Sequence, residues 1–446
     1  MGFNEFSTAF FVINTALILL LPKRWVLFPV LMAAFYMTKA QGVLIGPFHF
    51  TIIRLMVPVV ILRMLARGER LDRRWNGLDF LMAAWAVWLL TSSLFRDDSS
   101  GAFVYRLGLV YDVCGFYFLI SVYCQSKDDL LHLCKIVAIV LIPVSIEMFY
   151  EKLSEYNIFS KLGGVSEIPY IRQGHVRAQG PFGHSILAGV VGAVCLPISA
   201  ALWNVNRKIS VAGCAACLLM VYASTSSGPI MSALAGIFAL WVWRIRQKAK
   251  MILWAMVLGY IALDLVMKDP AYYLLARIDI TGGSTGWHRA RLIQSTLDHF
   301  SEWWLAGTDF TRHWMPTGVS WSRDHTDITN HYIQMGVWGG LPAMVLFMLQ
   351  IGKGFSYAAN TIRHYYETVA DDQTAFVVWS LGASLFVHAV NCISVSYFDQ
   401  SFIFLYLALA AISSAWSEAM AHTPLSPVGG EEGHSTASTV VSEKAG

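Results

Sequence analysis

Charge is scarce in this sequence. Of 446 residues only 14% are Asp, Glu, Lys or Arg, against roughly a quarter in a soluble globular chain, and the mean hydropathy is +0.53. The few charges nearly cancel, to a net +3, so there is no basic surplus of the kind that binds nucleic acid. Cysteine is sparse as well. The seven present are scattered through apolar stretches, and the one close pair, Cys214 and Cys217, has no partner pair, so neither a structural disulfide nor a zinc site is expected. No basic segment precedes the first apolar block and no small-residue cleavage site follows it. A cleavable signal peptide is therefore not expected, and the first helix stays.

What is abundant is apolar sequence: 56% of the residues are hydrophobic, in long blocks and not in the short alternating runs of a membrane β-barrel. Blocks of about 17–25 apolar residues match a bilayer core, and lipid leaves the backbone no partner but itself, so the blocks should be helical. Candidate spans are Ser7–Leu21, Val26–Ala40, Phe48–Leu65, Leu78–Phe95, Ala102–Tyr123, Leu130–Tyr150, Ile186–Leu202, Ile209–Tyr222, Ile230–Trp243, Met251–Met267, Tyr332–Ile351, Phe376–Val390 and Phe402–Trp416. The first two are short enough to form one hairpin, which makes twelve or thirteen spans. The expected fold is all-α, a polytopic transmembrane bundle with one large helical outer loop.

Lys and Arg in short loops set the orientation. Arg63, Arg67, Arg70, Arg73 and Arg74 crowd one connection, Arg207 and Lys208 another, and Arg244, Arg246, Lys248 and Lys250 a third. Parity puts all three on one side, the cytoplasmic one. The chain then divides into N-terminal spans (1–150), a first outer loop (151–185), central spans (186–267), a large outer loop (268–330), C-terminal spans (331–418) and a polar cytoplasmic tail (419–446) expected to be disordered.

The outer loops ought to be poor in positive charge, yet the first carries Arg172 and Arg177 and the second Arg277, Arg289, Arg291, Arg312 and Arg323. Solvated ion pairs with the loop's aspartates would explain any one of them. An anion site would explain several together, because guanidinium binds phosphate through two parallel hydrogen bonds and never loses its charge. Arg177 lies in Arg177-Ala178-Gln179-Gly180-Pro181-Phe182-Gly183-His184, where Gly and Pro turn the chain into a helix start with free N–H groups. Arg289 opens an amphipathic run to Asp298. The second loop closes on Asp324-His325-Thr326-Asp327-Ile328-Thr329-Asn330-His331, where either His325 or His331 could act as a base near neutral pH.

Three of these stretches together resemble the O-antigen ligase and O-antigen polymerase superfamily. They are the Arg177–His184 turn; Gly286-Trp287-His288-Arg289 with its helix and the following Leu305-Ala306-Gly307; and Asn330-His331-Tyr332-Ile333 with Gly336 and Gly339-Gly340-Leu341. The resemblance covers residues 170–350. Two departures stand out. Aligned on Tyr332, Thr329 falls where the family has histidine, and Ser226-Ser227 is followed by Gly228-Pro229 where an arginine is frequent.

The resemblance implies an inverting glycosyltransferase without metal or other cofactor, in the bacterial inner membrane with its active site facing the periplasm. Its partners would be a polyprenyl-diphosphate-linked glycan donor, a glycan or lipid acceptor, membrane lipids and other polysaccharide-assembly proteins. Arg177 and Arg289 would hold the diphosphate and His331 would activate the acceptor. Arg172, Arg277, Arg291, His325 and Asn330 would line the substrate site. The reading favours a polymerase over a ligase. The rival class is a transporter or flippase of lipid-linked glycan, suggested by ionisable residues inside spans (Arg54, Arg106, Asp112, Lys135, Glu147, Asp264 and His388). No internal repeat of the transporter kind is visible.

Overall fold

A computed structural model of the chain describes residues 2–277 and 286–421, so the expected tail lies, from residue 422 on, outside the described residues. The fold is an all-α bundle. Its helices are α1 (Glu5–Leu20), α2 (Leu27–Tyr36), α3 (Ile52–Arg67), α4 (Gly77–Thr91), α5 (Ser99–Tyr123), α6 (Lys127–Ser154), α7 (Ser185–Ala200), α8 (Arg207–Ser224), α9 (Ser227–Val242), α10 (Ala249–Val266), α11 (Gly286–Asp298), α12 (Phe300–Trp303), α13 (His331–Arg363), α14 (Asp372–Asn391) and α15 (Phe402–Ala421). Two antiparallel hairpins, β1 (Gly42–Ile45) with β2 (Phe48–Thr51) and β3 (Tyr170–Arg172) with β4 (His175–Arg177), are the strands among the described residues.

Among the described residues, eight helical runs are long and apolar enough to cross a membrane, α9 and α10 forming one of them through a short kinked link. The helices α1 and α7 are apolar but shorter. Two expected spans are corrected. Val26–Ala40 holds only the ten residues of α2, about 15 Å of helix and half a bilayer core. Phe48–Leu65 begins as strand β2, and the helix starts at Ile52, where the Thr51 side chain caps it by accepting from the Arg54 N–H. Core packing centres on α7 and α15, which are buried along almost their whole length. By contrast α10 buries no residue, as suits a helix surrounded by lipid.

The ionisable residues inside the bundle mostly have partners. Arg54 grips Asp112 with two bonds of 2.7 and 2.8 Å. Arg106 donates to Ser93 Oγ, and His388 Nδ1 meets the Tyr397 hydroxyl at 2.7 Å. Arg73 and Asp79 pair where α4 begins. At that end of the bundle, Lys127–Asp371 and Arg246–Asp372 pairs tie together the connections before α6, after α9 and before α14.

At the opposite end, α13 is broken. Gly339 (φ −146°) and Gly340 (φ 75°, ψ −177°) leave helical geometry, separating a short helix from a long one that runs on to Arg363. The strand-like backbone at Gly340 is open only to glycine. The groups freed by the break are taken up by neighbours. Trp88 Nε1 donates to Gly339 O at 2.6 Å, Arg96 Nη2 to Val337 O at 2.7 Å, and the Leu341 N–H to Trp304 O at 2.7 Å. The Trp303–Thr308 segment is thereby seated against α13, and Gly307 (φ 85°) makes the matching close approach to Val337.

Candidate functional site

Local sequence places the first two arginines. Gln173 and Gly174 both take positive φ (50° and 77°), the two-residue turn that matches strand twist, and so fix the register Tyr170↔Arg177, Ile171↔Val176 and Arg172↔His175. Residues opposite each other, and those two apart, share a face in such a hairpin. Arg172 and Arg177 therefore project from the same face as diagonal neighbours.

The turn that follows is held from several directions. The Glu151 carboxylate, at the end of α6, accepts from the N–H groups of Gln179 and Gly180 (3.1 and 2.7 Å). The Ala178 N–H donates to Ala223 O at the end of α8. Asn157 Nδ2 donates to Gly180 O. On the far side, Asp399 accepts from the Gly183 N–H at 2.8 Å, and Gln400 Nε2 donates to Pro181 O at 3.1 Å. Phe182 is fully buried. Arg177 is thus 5% exposed on a backbone that cannot shift without breaking these contacts. Its Nη2 donates to Ser226 Oγ, the cap position of α9, while its Nε–H is buried with no acceptor among the described residues.

The second wall comes from the large loop. Arg289 sits in the first turn of α11, partly exposed, with Nε again buried and without an acceptor among the described residues. His288 beside it bonds Asp327 O at 2.9 Å, which ties α11 to the segment leading into α13. The three guanidinium groups feel one another. Burial lowers the pKa of Arg177, and the charges of Arg172 and Arg289 lower it further. Burial likewise lowers Arg289, with Asp327 opposing and Arg172 adding to the effect. Charges act over about a Debye length, roughly 10 Å in salt, so the three residues lie in one region of the protein. Such side chains stay protonated at any ordinary pH. The region is a concentration of positive charge in which the Nε–H groups of Arg177 and Arg289 have no acceptor among the described residues.

The other expected site residues lie elsewhere or have other work. His331 is not at the pocket: it is 3% exposed, ringed by Phe347, Tyr397 and Trp338, and its Nδ1 accepts from the Tyr397 N–H. His325 bonds Ser322 Oγ at 2.7 Å and packs on Trp321, within the turn beside Arg312 and Arg323. Asn330 is a structural cap, Oδ1 accepting from the Ile333 N–H and Nδ2 donating to Ile393 O. Arg291 is exposed, two residues from Arg289 and so on a different face of α11. Arg277 is exposed at the end of a 3-10 turn. Thr329 has a buried hydroxyl with no partner among the described residues.

Contributors that sequence reading passed over are Ser226, Glu151, Asp399 and His184. The last caps α7 through Nδ1, which accepts from the Ile186 N–H at 3.1 Å, so the ring proton is on Nε2. Burial and the neighbouring Arg177 push its pKa down to about 4 from 6.5. The unfolded chain then takes up this proton before the folded chain does. Stability contributed by the neutral ring is complete above pH 6.5 and declines as pH falls toward 4, by at most about 1.4 kcal/mol per pH unit. Thermal melts of the detergent-solubilised protein should show this slope, and His184→Asn, which keeps a capping oxygen, should flatten it. An unchanged slope in the variant would assign the acid sensitivity to other groups.

Compared with protein-family models the chain matches none, and no curated protein matches it.

Proposed function

We propose that this chain is a membrane glycosyltransferase. It moves or polymerises a polyprenyl-diphosphate-linked glycan onto an acceptor hydroxyl at the periplasmic face of a bacterial inner membrane, in assembly of a cell-surface polysaccharide. The observation that supports this most is the meeting of Arg172, Arg177 and Arg289 at one end of the bundle, with buried Nε–H donors on two of them. A lipid-linked diphosphate presents several negative oxygens at headgroup level, and guanidinium forks match that geometry.

In the reaction the bond between the sugar's anomeric carbon and the diphosphate oxygen breaks, and its electron pair leaves with the diphosphate. The acceptor oxygen forms the new bond to that carbon and gives up its proton. Charge grows on the diphosphate as the bond breaks, so preoriented arginines lower the barrier more than they stabilise bound substrate. Asp327, whose charge acts on Arg289, is the carboxylate available to take the acceptor proton. Neutral His184 offers Nε2–H to the same anion.

The broken helix α13 is the feature a carrier would use, since discontinuous helices bind ions through their free ends. Here those ends are occupied by Trp88, Arg96 and Trp304, which supports the enzyme over the transporter.

The test is Asp327→Asn alongside single alanine replacements of Arg177 and Arg289 in the native host, with membrane insertion verified. Loss of long glycan with accumulation of lipid-linked single repeats is the outcome expected of a polymerase, and accumulation of full-length lipid-linked chains that of a ligase. Normal glycan from all three variants would overturn the active site.

A further inference from the structure

At the other end of α11 from Arg289, ten residues or about 15 Å along a helix, three side chains turn toward one another. One nitrogen each from His299 and His313 and a carboxylate oxygen of Glu302 all lie within 4.8 Å of each other. His299 and Glu302 are three residues apart at the α11–α12 junction, and His313 comes from the turn after it. The surrounding bonds orient these groups as metal ligands are usually oriented. His299 Nδ1–H donates to Ser295 O at 2.8 Å, which leaves the Nε2 lone pair free. Trp314 Nε1 donates to Glu302 Oε2 at 2.9 Å, and the Trp314 ring stacks on His299. His313 Nε2 lies 2.9 Å from the same carboxylate, sharing a proton with it.

We propose that His299, Glu302 and His313 bind a divalent transition-metal ion, zinc by its ligand chemistry, on the flank of the large loop. Two imidazoles and a carboxylate are a zinc donor set with one position open to water. Tetrahedral ligation at about 2.1 Å places ligand atoms roughly 3.4 Å apart, so the groups need to close by little more than 1 Å. Binding breaks the contact between His313 Nε2 and Glu302, with the imidazole proton carried on Nδ1, and exchanges a solvent-exposed hydrogen bond for three metal bonds. The ion would pin the α11–α12 corner to the segment from Thr311 to Ile328, and so hold the loop that carries Arg289. It stands apart from the arginine pocket and takes no part in the transfer step.

The experiment uses the full chain, purified in detergent with a histidine-free tag, stripped with EDTA and titrated calorimetrically with zinc chloride at neutral pH. Cobalt absorption reports the geometry. One zinc per chain is expected, with a rise in melting temperature. His299→Ala/His313→Ala should weaken binding by about 100-fold or more, and Glu302→Gln, which keeps an acceptor for Trp314, by about tenfold or more. Arg289→Ala should bind as the native chain does, which separates this site from the anion pocket. No uptake by the native chain, or equal uptake by the double variant and Glu302→Gln, would overturn the proposal.

Discussion

Replacing either Arg177 or Arg289 by alanine is expected to lower glycan transfer by about 10²–10³-fold, the cost of losing one donor to a developing anion. Arg291→Ala and Arg277→Ala, both exposed, should stay close to native activity. The contrast within α11 is the sharpest part, because Arg289 and Arg291 are two residues apart and identical in charge. If the loop merely attracted lipid-linked anions by its total charge, the two alanines would be equivalent. Only a pocket built on one face of the helix distinguishes them. Arg177→Lys should also be poor, since ammonium keeps the charge but loses the planar fork. The double variant Arg177→Ala/Arg289→Ala should fall short of the product of the single effects, because both groups serve one leaving group. Turnover of lipid-linked donor in membranes, normalised to inserted protein, gives all of these. An Arg291→Ala loss as deep as that of Arg289→Ala would falsify the pocket.

Gly340→Ala should be the most damaging single methyl in the large loop's seat. A Cβ there would stand 2.1 Å from Leu305 O, a backbone atom that cannot swing aside, and the residue would keep φ 75°. Strained backbone costs about 1–3 kcal/mol and forced overpacking a similar amount, so a loss of roughly 3–5 kcal/mol is expected, or undocking of the Trp303–Thr308 segment. Gly352→Ala in the same helix is the control, as no atom lies within 4 Å of its added Cβ. It should be neutral or gain up to about 1 kcal/mol in helix propensity. Melting curves and limited proteolysis of the loop separate the two variants. Identical melts would show that the break does not seat the loop.

The helices were legible because period and length suffice for them. Each of the thirteen apolar blocks holds a helix among the described residues, although the second is short and the third begins as a strand. The misplaced boundaries have local causes. The apolar Phe48-His49-Phe50 runs straight into α3, so hydropathy alone does not separate strand from helix, although Gly46-Pro47 marks the hairpin turn. Arg177 stood out through the glycines and proline around it, which report a turn before a helix. Its surroundings did not: Glu151, Ser226 and Asp399 are 26, 49 and 222 positions away by numbering, and nothing local says they converge. The surroundings of His331 were not legible either. A histidine at a helix mouth looks available, and only the packing of α14 and Tyr397 against it shows which way the helix is turned. The different face that Arg291 occupies was legible, since its spacing from Arg289 is two residues.

The clamp on the Arg177 turn also has a consequence in time. Glu151, Asn157 and Ala223 are synthesised within some fifty residues of the turn, but Asp399 and Gln400 belong to the connection between α14 and α15. Arg289 arrives between these events. A nascent chain inserting from its N-terminus therefore carries an unfinished Arg177 turn until the α14–α15 connection is in place. A chain stalled before Asp399, although mostly inserted, would leave the Gly183 amide without its Asp399 acceptor and the Arg177 turn held from one side only.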